Sequence, residues 1–193
     1  GVSAFAWIVA GLVMAVLLPA PNAAADDRPA IAVASSVQAA MDEVADAFQA
    51  ETGHVVRLTF GSSGNFSRQI RQGAPFELFL SADEEIPLGL ARDGFALDDG
   101  KPYAVGRLAM VVPRGSQIRA DEGLDDLAAA LGDGRLLRFA IANPEHAPYG
   151  RRAEEALRHR GLWEAIRPKL VLGENVSQAA RFATSGDTQG GII

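Results

Sequence analysis

From residue 26 onward the chain alternates short apolar runs with segments whose apolar residues recur at helical spacing, and few folds accept that order. Ala30-Ile31-Ala32-Val33 has the length and continuity of a buried strand. Met41, Val44, Ala45 and Phe48 fall on one face of a helix expected over 38–51, which Thr52-Gly53 would end. Residues 54–60 alternate like a second strand, and Gly61-Ser62-Ser63-Gly64 makes a tight loop. A helix is expected over 65–72, stopped by Gly73 and Pro75. Residues 76–80 read as a third strand, with Ser81 or Asp83 placed to cap the next helix. The resulting order, β-α-β-α-β-α, specifies a parallel sheet with helices on its faces.

The second half repeats the alternation. Residues 107–113, with Leu108-Ala109-Met110-Val111-Val112, read as a strand that crosses into a second lobe. Strands are expected over 137–141 and 169–172, and helices over 151–159 and 176–184. Residues 190–193 begin one more strand, and the pattern stops there without a cap. The expected division is therefore residues 26–106 for lobe 1 and 107–193 for lobe 2, with a C-terminal part missing.

Residues 1–25 differ from the rest. They carry no charged residue, and 4–18 are almost wholly apolar. Pro19 and Pro21 break a helix, and Ala23-Ala24-Ala25 supplies small residues of the kind a signal peptidase accepts. This predicts an export signal cleaved near Ala25, the competing reading being a membrane anchor. The chain has no cysteine, so an exported protein of this length must rely on its core. Formal net charge is −6, with no basic run, which argues against nucleic acid as a partner. A net negative chain that binds an anion must use local dipoles.

Two loops offer such dipoles. Val33-Ala34-Ser35-Ser36 runs from a strand end through hydroxyls into a helix, whose first N–H groups point outward. Phe60-Gly61-Ser62-Ser63-Gly64 places two more hydroxyls between glycines that permit close approach, again before a helix. Each alone is also what an N-cap or a Gly-Ser turn looks like. Both fall at the carboxyl edge of the expected sheet, where ligands of such sheets bind. Neither contains Lys or Arg, which suits a fully deprotonated dianion held by neutral donors. The second lobe offers 142–150, a proline-rich loop feeding a helix near Tyr149, and 172–176, which leads from strand to helix at Val176. Both also read as ordinary connections.

The segments VASS at 33–36, FGSSGNFSRQIRQGAPFELFLSADEE at 60–85, ANPEHAPYGRRAEEAL at 142–157 and GLWEAIRPKLVLGENVSQA at 161–179 resemble the periplasmic molybdate-binding proteins of molybdate ABC importers. The resemblance covers most of residues 30–193. It implies an α/β type II binding-protein clamshell, each lobe a mostly parallel sheet flanked by helices. It implies a periplasmic, monomeric, non-enzymatic receptor for molybdate or tungstate, with no cofactor, that docks on a membrane permease and its ATPase. By motif, the oxyanion ligands correspond to Ser36, Ser63, Tyr149 and Val176, the last two acting mainly through backbone N–H. Many members carry a small residue where this chain has Tyr149. A family tyrosine that completes the shell is expected beyond Ile193, as is a segment returning to the first lobe.

Two rivals remain open. One is a receptor for another oxyanion, such as sulfate or phosphate. The other is an exported hydrolase with Ser36 or Ser63 as nucleophile and His146 as base, His54 and His159 reading as surface residues. A cation site has little support, since no His or carboxylate pair shows ligand spacing and Cys is absent.

Overall fold

The computed structural model describes residues 26–193. The expected export signal at 1–25 lies outside the described residues.

The first sheet is fully parallel. Strand β1 (Ala30–Ala34) lies between β2 (Arg57–Gly61) and β3 (Leu78–Leu80), in register Ile31 to Leu58 and Ile31 to Leu78. All five β1 residues are buried, as a central strand covered on both faces must be. The crossovers are α1 (Gln38–Thr52) and α2 (Ser63–Arg71), and α3 (Glu85–Arg92) follows β3. Gly53 ends α1 in the left-handed region at φ 75°, returning its N–H to the Gln49 carbonyl. Phe66 of α2 is buried and meets Phe76 and Phe79 edge-on at 5.5 and 6.2 Å.

The second sheet runs β4-β7-β5-β6, from β4 (Met110–Val111), β5 (Phe139–Ala142), β6 (Leu170–Gly173) and β7 (Gly191–Ile192). Strand β5 is parallel to β6 and β7, and only the edge pair β4–β7 is antiparallel. Helices α4 (Asp125–Asp133), α5 (Pro148–His159), α6 (Trp163–Ile166) and α7 (Val176–Thr184) complete this lobe. Its core is continuous, with Leu127, Leu136, Phe139, Ile141, Leu157 and Ile166 fully buried.

The expected elements form with local shifts. The apolar run 107–113 was expected to be one long strand, yet only Met110 and Val111 enter the ladder. Met110 pairs with Ile192 and Val111 with Gly191, and Ala109 and Ile193 exchange hydrogen bonds of 2.7 and 2.9 Å. Helix α2 starts at Ser63 rather than 65, and α5 at Pro148 rather than 151. Proline is favoured in a first turn, where its missing N–H has no helical partner. Helix α4 lies in a stretch where the sequence pattern specified nothing. The Asp121 carboxylate seats it by accepting the N–H groups of Asp125 and Asp126 at 2.8 and 3.1 Å. Those two bonds, before all else, lower the Asp121 pKa.

The expected apolar stripe of α1 forms, and the described residues cover it only in part. The helix buries no residue, and Val44 and Phe48 are 54% and 41% exposed.

Candidate functional site

Four chain segments leave the carboxyl ends of their strands and meet in one cleft between the two sheets. Strand β1 runs into a 3₁₀ turn at Ser35–Val37, β2 into α2, β5 into the loop before α5, and β6 into α7. The cleft is lined by Ser36 and Ser63 from the first lobe and by Tyr149 and Val176 from the second. The structure therefore brings the four sequence-derived site residues to one cavity. It is small, so an extended solute has no room unless the lobes part.

Among the described residues, no charged side chain lines this cavity. Its polarity comes from hydroxyls and helix starts. No side chain caps the 3₁₀ turn, α2 or α5. At α7 the Asn175 side chain caps only the Gln178 N–H, at 3.0 Å, which leaves the N–H of Val176 without a side-chain cap. First-turn N–H groups have no partner within their own helix and carry the positive end of its dipole. Several such ends aimed at one small space form an anion site without any cationic side chain.

The serines are not equivalent. Ser63 is fully buried, and its Oγ accepts the Ala82 N–H at 2.9 Å, which leaves its own proton to be donated elsewhere. Ser36 is exposed and hydrogen-bonds to none of the described residues, although it lines the cavity. Its neighbour Ser35 is buried, and the Ser35 carbonyl accepts the Ser177 hydroxyl of α7 at 3.0 Å. Ser62 is buried, and its Oγ lies 3.0 Å from His146 Nδ1. The Tyr149 hydroxyl lies over Gly106, where an added Cβ would sit 3.0 Å from it. Beside it, Tyr103 donates to the Ser81 carbonyl at 2.6 Å. Burial, and then the Tyr149 phenol, push the Tyr103 pKa up, so Tyr103 stays a neutral donor.

The sequence reading missed several of these groups. Ser35, Ser62, Asn175 and Ser177 were not singled out, because adjacent serines in a motif do not reveal which one faces inward. From the sequence His146, beside Glu145, reads as a structural histidine or as a base for Ser36 or Ser63. Among the described residues it hydrogen-bonds to neither, and its ring contacts Ser62 and, through Nε2 at 3.4 Å, the Glu174 carboxylate.

A neutral, donor-rich cleft between two mostly parallel sheets is the architecture of the two-lobed binding-protein class. The chain belongs to the bacterial extracellular solute-binding protein family, whose model matches residues 30–193. It is 37% identical over 164 residues to the molybdate-binding protein ModA of Azotobacter vinelandii, covering 84% of this chain and 63% of that one. It is 39% identical over 183 residues to ModA of Rhodobacter capsulatus, covering 94% of this chain and 68% of that one. The chain thus spans roughly two thirds of the length of these curated relatives. Its fold matches the solved periplasmic molybdate-binding protein of Azotobacter vinelandii with a TM-score of 0.74 at 30% identity, over 86% of this chain and 71% of that one.

Proposed function

We propose that this protein captures molybdate or tungstate in the periplasm and delivers it to an ABC permease driven by its ATPase. The observation that carries the reading is the uncharged cavity into which several helix and turn starts converge. The hydroxyls of Ser36 and Ser63 and the main-chain N–H groups of Tyr149 and Val176 hold the oxyanion. The lobes are residues 26–106 and 107–193, and the protein works as a monomer without cofactor or catalysis.

The donor set favours a guest that only accepts hydrogen bonds. Phosphate near neutral pH keeps a proton that wants an acceptor, and among the described residues no carboxylate lines the cavity. The Asn175 amide oxygen is already engaged by Gln178. Sulfate is a dianion like molybdate but smaller, so it reaches donors on both walls only at longer, weaker distances. A ligand that touches both lobes stabilises the closed form by its differential affinity for that form.

Calorimetric titration of the native protein with molybdate, tungstate, sulfate and phosphate tests this. Molybdate and tungstate are expected to bind tightly and sulfate and phosphate weakly. Tight sulfate binding without preference for molybdate would assign the site to a sulfate receptor.

A hydrolase has less support. Ser62, His146 and Glu174 lie in series, but Ser62 is buried and the Glu174 carboxylate stands largely in solvent, 3.4 Å from the ring.

A further inference from the structure

His146 bonds across the cleft through both its main chain and its ring, and binding of the oxyanion as proposed above does not use it. It sits in the second-lobe loop between β5 and α5, 7% exposed. Its carbonyl oxygen accepts the N–H of Gly64, in the first turn of α2, at 2.9 Å. Its Nδ1 lies 3.0 Å from the Ser62 hydroxyl. Both partners belong to the first lobe, and they flank Ser63. Glycine at 64 permits this approach, because a Cβ there would press into the His146 backbone.

The ring is oriented from its far side. The Glu174 carboxylate, just before α7, faces Nε2 at 3.4 Å. That contact favours the ring proton on Nε2 and leaves Nδ1 to accept from Ser62. The Ser62 proton then goes to the histidine and not to the cavity. Ser63 is in the opposite position, its oxygen occupied by Ala82 and its proton free.

We infer that His146 is a positioning residue: it latches the Ser62–Gly64 turn to the second lobe and so holds the receptor closed on its guest. The inference rests on the receptor reading for its consequence, namely slow release. Its structural content, a closed form stabilised by His146, holds for the ligand-free protein as well.

The test uses the native protein with single cysteines introduced at the exposed positions Asp46 and Glu164, one per lobe, labelled for energy transfer. Interlobe distance is read with and without molybdate, and molybdate dissociation is followed by chase with excess tungstate. His146→Leu removes the ring bond to Ser62, and Ser62→Ala removes the same bond from the other side. His146→Asn keeps a polar atom near the Nδ1 position. Expected are a more open ligand-free protein and dissociation faster by about tenfold in His146→Leu, the upper scale of one net hydrogen bond. Ser62→Ala should do the same, and His146→Asn should recover much of the loss, which a purely packing role would not allow. If His146→Leu does not fold, Ser62→Ala and His146→Asn decide alone. Unchanged distance and dissociation in the leucine and alanine variants would overturn the latch. A wild-type protein that binds none of the four oxyanions would instead defeat the receptor reading, and the ligand-free distances would still decide the latch.

Discussion

Arg151, in the first turns of α5, donates to the Asp83 carboxylate at 2.7 Å and so ties the second lobe to the loop that precedes α3. The Asp83 side chain is 10% exposed and also accepts the Ile86 N–H at 3.1 Å. The carboxylate is therefore held by lobe 1 whether or not the lobes are closed, and the arginine is the part that must arrive. Arg151→Met is expected to weaken oxyanion binding by about 0.5–1.5 kcal/mol, because the closed form alone loses a partly buried pair. The wild-type advantage should shrink as salt rises. Titration at low and high ionic strength checks both statements. An affinity equal to wild type at low salt would show that the pair contributes nothing to closure.

Ser63 and Ser36 are expected to contribute through their hydroxyl protons. Ser63→Ala and Ser36→Ala should each weaken molybdate binding by about 1–3 kcal/mol, the range for a lost hydrogen bond to a charged group. The effect at Ser63 should be the larger. Its oxygen is pinned by Ala82, so its proton is preorganised, and alanine there also strands a part-buried N–H. Calorimetry with each variant measures this. Unchanged affinity in both would remove the serines from the site.

Gly64 faces the His146 backbone so closely that a methyl group cannot be placed between them. Gly64 lies inside α2, where alanine is the better helix former. Gly64→Ala should therefore leave α2 itself intact while it opens the ligand-free protein, because the closed contact with His146 cannot form around the methyl group. Binding should weaken by at least about tenfold, with the added stability that ligand normally confers reduced in proportion. Melting curves with and without molybdate separate the two effects.

The parallel order of the first sheet was legible because each strand is an unbroken apolar or alternating run with glycine or serine at its end. So was the convergence of Ser36, Ser63, Tyr149 and Val176, since strand carboxyl ends in such sheets share one edge. Two things were not. The serine pairs could not disclose that Ser35 and Ser62 face inward to structural partners, which depends on the closing of the lobes. The Tyr149 ring could not be placed, because Gly106, against which it lies, is remote in sequence.

Val176 offers a test of a main-chain donor. It is the first residue of α7, preceded by Asn175 in an extended conformation at φ −152° and ψ 173°. Proline is favoured at a first helical position and is compatible with an extended predecessor. Val176→Pro therefore deletes one N–H while keeping the helix. Val176→Ala is its counterpart, keeping the N–H and deleting the side chain that packs near Ala142, Ala147 and Ala179. If the backbone amide holds the oxyanion, Val176→Pro should lose about 1–3 kcal/mol of molybdate affinity. Val176→Ala should lose little affinity, with its cost appearing in thermal stability because it shortens a partly buried apolar side chain. The reverse ranking in titration would assign the contribution of this position to packing and take its amide out of the anion's shell.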